Sequence, residues 1–231
     1  CFPTRLSFMR ILMRRLIRNK SEIKTHLWKM DDKGFGHAVF TINLDKRYYS
    51  LIAFSNDLDD EMRTDRVIAS AWDSSFALFD GIPENEDIIR LKKQLPLQEA
   101  GRFSKKELVV SRANKSVRLF KTVTEMLSKG MQPPSSLINE VGYFMRTTAV
   151  YGNGKFGIRD RDEVKVDPSL SPPFQVEMLT VYLIRHFSIK LVNHVAKNLD
   201  HKNFVFLNKN IQRHIGIGNS TGLGMAPFLV K

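Results

Sequence analysis

The chain holds a single cysteine, Cys1, in 231 residues. One cysteine excludes an internal disulfide and any metal site built from cysteines. The histidine signatures of metal chemistry are missing too. No H-E-x-x-H occurs, and His186 and His194 on one helix would stand about 12 Å apart along its axis, too far to share an ion directly. G-x-S-x-G is also absent, which removes the nucleophile turn of an α/β-hydrolase. No uninterrupted apolar run approaches the ~18 residues of a membrane helix. The longest candidate, "FQVEMLTVYLIRHFSIKLVNHVAKNL", is broken by Glu177, Arg185 and Lys190. The opening "FMRILMRRLIRNK" mixes arginines into its apolar residues, unlike the apolar stretch of a secretory signal. There is no internal repeat and no low-complexity segment. A cytoplasmic globular protein without a metal is the expectation, and no particular cofactor is indicated.

What is present begins with charge. The formal net charge of +12 is unevenly spread. Residues 1–29 hold eight Lys/Arg against one acid, residues 57–90 ten acids against three arginines, and residues 101–130 eight Lys/Arg against two acids. A uniform nucleic-acid coat would not contain that acidic block, although a bipolar molecule can present one basic face.

Hydrophobic periodicity predicts an α+β protein. Residues 5–19 place Leu6, Met9, Met13, Leu16 and Ile17 on one helical face, with Arg10, Arg14, Arg15 and Arg18 around the rest. That pattern suits a terminal helix packed on the domain, or one that meets a membrane surface or phosphate. "IKTHLWKMD", "FGHAVFTINL" and "RYYSLIAFS", separated by short polar turns, predict an antiparallel meander over 23–55 with Phe40 and Ile42 inward. A helix and then a fourth strand near 74–79 follow. From Glu84 onward the pattern reads as helical. "SKKE" at 104–107 matches a capping box, with Ser104 as N-cap of a helix burying Val109, Ala113, Phe120, Val123 and Leu127. Another helix starts at 133–136, carries Leu137, Ile138, Val141, Phe144 and Met145, and stops at Gly152. "SPPF" at 171–174 opens the longest helix, to about Leu199, and "NFVFL" reads as a short added strand. The simplest division is a β-rich part, residues 1–83, and a mainly helical part, residues 84–231.

Two glycine-rich segments carry the chemistry that can be read. Four glycines fall in nine residues, Gly216, Gly218, Gly222 and Gly224, with Asn219, Ser220 and Thr221 among them. Such a loop can point several backbone N–H groups at one oxyanion, and the hydroxyls add donors. It does not satisfy the dinucleotide fingerprint, which would require glycine where Thr221 stands. The second segment, "YGNGKFGIRDRDE", sets Lys155 on a glycine turn, with Arg159 after it and Arg146 in the last turn of the helix before it. "GNGK" is not a phosphate loop, because Phe156 follows the lysine where Ser or Thr belongs. Lysine and arginine can still bind phosphate or carboxylate there. The basic helix 105–121 would present Lys105, Arg112, Lys115 and Arg118, three of them at spacings of three on one face.

The leading expectation is therefore a cytosolic domain of an enzyme that binds an anionic small molecule, of phosphate, carboxylate or acyl-carrier type. Its anchors are Arg146, Lys155, Arg159 and the loop Gly216, Gly218, Asn219, Ser220, Thr221, Gly222 and Gly224. The rival is an RNA- or DNA-binding module using helices 5–20 and 105–121 through Arg14, Arg15, Lys105, Arg112, Lys115 and Arg118. A purely structural interaction domain is a third reading. The chain is expected to be a piece of a longer protein whose missing C-terminal part packs on 216–231, with a helix continuing from "MAPFLVK".

Overall fold

The computed structural model describes residues 5–44, 46–58, 72–95, 104, 106–152 and 173–219. The alternating segments become β1 (Ile23–Met30), β2 (Gly36–Leu44) and β3 (Arg47–Ser55), which pair antiparallel in sequence order. Phe40 and Ile42 both point into the main core, as their alternation predicts. β4 (Ser74–Asp80) is the fourth strand, and these four curl into a half-barrel. The helix expected ahead of β4 falls on 59–71, outside the described residues.

The sheet then continues across residue 84. After α2 (Asn85–Gln94) come β5 (Glu107–Lys115), α3 (Leu119–Ser128), α4 (Ser135–Val141), β6 (Tyr143–Gly152), α5 (Pro173–Leu199), α6 (Lys209–Gln212) and β7 (Gly216–Asn219). One seven-stranded sheet runs β1-β2-β3-β4-β5-β6-β7, antiparallel throughout except for the parallel pair β6 and β7.

Three expectations are corrected here. Residues 104–130 do not form one helix. Ser104 Oγ accepts the Lys106 N–H in a turn, and Glu107 answers Arg90 of α2 rather than a helix N-cap. "ELVVSRANK" alternates as well as it repeats every three or four, and ladder bonds to strands on both sides decide for β5. The helix after 135 ends at Gly142, in the left-handed conformation at φ 75°, rather than at Gly152. Phe144, Met145 and Arg146 therefore lie on a strand. "NFVFL" is not a strand; Val205 N–H reaches back to Leu127 O, and the last strand among the described residues is the start of the glycine segment, Gly216–Asn219.

The sheet separates two apolar clusters. On one side Val39, Ile52, Phe54, Ala77, Phe79 and Val110 pack with Ile88, Leu91 and Leu95 of α2 and the residue after it. The other side takes α5, flanked by α1 (Arg5–Arg18) and α3. α1 buries Met9, Leu12, Met13 and Leu16, but Ile17, expected on that face, is 65% exposed. At the centre, the Phe187 ring of α5 meets Phe76 at 5.5 Å and Phe40 and Trp28 at 6.2 Å, edge-on or tilted. Such pairs add to what their buried area contributes. Phe187→Ala should lower the unfolding free energy by about 3–5 kcal/mol and Phe187→Leu by clearly less, read as the shift in urea midpoint.

Candidate functional site

Parallel pairing decides where the predicted anchors stand. Arg146 is level with Gly218, and Thr147 with Asn219. On the other side of β6, Arg146 is level with Asn114. Met145 and Thr147 are buried on the α5 side, so Arg146, between them and half-buried, lies on the opposite face. The structure thus joins Arg146 to Gly216, Gly218 and Asn219. Gly152 ends β6, and Lys155, Arg159, Ser220, Thr221, Gly222 and Gly224 lie outside the described residues.

The first two glycines of the closing segment have structural tasks. A Cβ on Gly218 would stand 2.9 Å from three atoms of the Tyr143 ring, so glycine lets that ring lie flat against the strand. The Gly216 N–H donates to Gly142 O at 2.7 Å, and the Gly218 carbonyl accepts from Thr147 Oγ1 at 3.1 Å. Tyr143, Thr147 and Asn114 were not singled out from sequence. Only the strand register, which no local pattern encodes, brings them beside Arg146.

The turn into β7 is held from beneath. Arg185 of α5 is buried; its Nε–H donates to Ile215 O at 2.6 Å and its Nη2 donates to Gln212 O. Burial lowers the pKa of its guanidinium from the usual value. Arginine's planar fork can serve two carbonyls at once, which a lysine could not do with the same geometry. A long apolar helix interrupted by one arginine was the available signal.

The basic face expected over 105–121 is dismantled by the change from helix to strand. Arg112 and Lys115, three apart, share a helix face but stand on opposite faces of β5. Lys115 Nζ lies over the rings of Phe35 and Phe120, at 5.1 and 5.3 Å, whereas Arg112 lies 5.6 Å over Trp72. Arg118 is exposed at the start of α3, and Lys105 is outside the described residues. Arg14 and Arg15 remain on α1, where an open cleft of about 310 Å³ is lined by Ile11, Arg14, Arg15, Arg18 and Asn19.

The histidines of α5 act as packing groups. Trp28 Nε1–H donates to His194 Nδ1 at 3.3 Å, which leaves Nε2 as the protonated nitrogen, 2.8 Å from Asp31 O. His186 meets Phe40 edge-on at 5.1 Å. Burial first, then the charges of Lys190 and Arg185, push its pKa down to about 4. Lys190 donates to Thr25 Oγ1 at 2.6 Å and covers the Trp28 and Phe40 rings. No cluster of three metal-ligating side chains occurs among the described residues, and no described helix is long and apolar enough to cross a membrane.

The class defined is an α+β protein with a mixed sheet, curled over β1–β4, that packs on one long helix. Comparison with protein-family models, curated proteins and solved structures returns no match.

Two outcomes follow from α5. Arg185→Met strands two carbonyls and should cost about 2–4 kcal/mol, with hydrogen exchange at 215–219 rising more than in β2 or β3. His186 has a folded pKa below its unfolded value, so its neutral burial is fully tolerated above about pH 6.5 and penalised as pH falls towards 4. Between pH 7.5 and 4.5, wild type should lose about 2 kcal/mol more stability than His186→Gln, measured by urea unfolding at both pH values. His37, whose pKa is lowered by burial and by Lys29 and Lys92, acts in the same direction in both proteins.

Proposed function

We propose that this chain binds an anionic small molecule beside the β6–β7 pair, as part of an enzyme. The observation that carries the reading is the pairing of Arg146 with Gly218. It sets a half-buried guanidinium next to the glycine-rich segment at the sheet margin. β6 and β7 are parallel neighbours, so the two described strands run in one direction. Ligands of open sheets commonly sit beyond the carboxyl ends of parallel strands, where backbone N–H groups are unspent. Gly216 and Gly218 are engaged in packing and pairing. The donors in this reading are therefore Arg146, Lys155, Arg159, the hydroxyls of Ser220 and Thr221, and the backbone of Ser220, Thr221, Gly222 and Gly224.

Phosphate, carboxylate and the phosphate end of an acyl carrier all match a bidentate guanidinium with a backbone cradle. The nucleic-acid reading loses its second surface, because Arg112 and Lys115 point to opposite sides of the sheet.

A thermal-stabilisation screen with inorganic phosphate, phosphosugars, nucleotides, coenzyme A and oligonucleotides tests this directly, since any ligand of the folded state raises its stability. One small anion should raise the melting temperature, and Arg146→Gln should weaken its binding at least tenfold while leaving the unliganded melt within a degree or two. That is the loss of a charged hydrogen bond, about 1.5–3 kcal/mol. Stabilisation by oligonucleotides alone, indifferent to Arg146→Gln, would refute the proposal.

A further inference from the structure

α1 has two faces, and one of them packs on α5. Met9, Leu12, Met13 and Leu16 are buried where the helix packs on α5. At 3.6 residues per turn, Arg10, Ile11, Arg14, Arg15, Ile17 and Arg18 fall within an arc of about 160° on the other side. Arg10, Arg14 and Arg18 are exposed, and so are Ile11 at 45% and Ile17 at 65%. Across the exposed part of that arc Arg10, Arg14 and Arg18 lie between Ile17 on one side and Ile11 on the other, with half-buried Arg15 beyond Ile11. Exposed Lys20 follows at the helix end, and no acid occurs anywhere between residues 5 and 21. The cleft bounded by Ile11, Arg14, Arg15, Arg18 and Asn19 opens on this same face.

We infer that the outer face of α1 docks on the surface of an anionic phospholipid membrane. The charge is complementary: guanidinium groups take phosphate oxygens bidentately, and a cluster of four or more basic residues on an amphipathic helix is attracted to acidic headgroups. The isoleucines decide between anionic partners. Branched aliphatic side chains flanking the cations can enter the boundary between headgroups and acyl chains. A single-stranded nucleic acid would instead need aromatic platforms for its bases, and the exposed arc over residues 9–18 carries none. The helix lies on the membrane and does not enter it, since its other apolar face is committed to α5. This surface is separate from the β6–β7 margin and stands or falls independently of it.

The test is co-sedimentation of the full chain with vesicles of one-third phosphatidylglycerol in phosphatidylcholine, against pure phosphatidylcholine vesicles. Binding is expected only to the anionic vesicles and should fall steeply between 0.05 and 0.5 M salt, roughly as screening shortens. Each basic residue near such a surface is worth about a fivefold change in partitioning, so Arg14→Gln with Arg18→Gln should weaken binding about 25-fold. Ile17→Ser should weaken it several-fold, with the charge unchanged. Unaltered circular dichroism and melting temperature confirm that these exposed variants fold. Equal binding to both vesicle types, or wild-type binding by the double arginine variant, overturns the inference. So does displacement of the protein from the vesicles by inorganic phosphate at matched phosphate concentration, which would mark an isolated ion site. Preferential binding to a single-stranded oligonucleotide, lost in the arginine variant but kept in Ile17→Ser, overturns it in favour of nucleic acid.

Discussion

Everything else in this protein depends on α5 packing against one face of the sheet. A sheet's apolar face needs an element that covers it. α5 does so with Phe187, Leu183, Ile184, Leu191 and Val192, all buried. The helix also fastens both margins of the sheet. Lys190 and His194 reach β1 and the turn after it through Thr25, Trp28 and Asp31. Arg185, on another side of the same helix, reaches the turn before β7 through Gln212 and Ile215. Arg185, the buried one of these, is stable there because it has found partners; alone it would oppose folding.

That arrangement explains why polar residues interrupt an otherwise apolar helix. Arg185, Lys190 and His194 lie where α5 meets the margins of the described sheet. β1 is an edge, and edges hazard pairing with other chains. Here β1 also exposes Lys24 and Lys29, charges of the kind that discourage such pairing. At the opposite margin of the described sheet stands β7, Gly216–Asn219. Arg146 stands beside it on the face away from α5, so the candidate site rests on a margin that α5 stabilises without occupying.

The legible parts of the fold were those with one dominant period. Ala38, Phe40, Ile42 and Leu44 alternate over a run bounded by polar turns, and no helix accommodates that spacing with one apolar face. The 27 residues of α5 were legible from length alone. "ELVVSRANK" was not, because Val109, Ala113 and Phe120 satisfy a helical repeat while Val109, Ser111 and Ala113 satisfy a strand. The closing glycines were legible as a close backbone approach but not as a strand, since glycine has low strand propensity and gives no alternation to read. Tyr143, which lies against Gly218, is 75 residues away in sequence.

By itself the sequence determined the α+β class, the meander, the long helix and a basic terminal helix with a buried side. These follow from periodicity and composition, which act over a few turns or a few residues. Tertiary structure alone decided that 107–115 is a central strand, that Arg112 and Lys115 face opposite ways, and that Arg146 is a neighbour of Gly218. Each of these is a choice of pairing partner. Local propensities of the competing forms differ by only about 1 kcal/mol or less per residue, whereas ladder bonds and burial on both sides of a central strand contribute more than that. The energy that chooses between helix and strand there is supplied by β4 and β6, and it does not exist until they are in place.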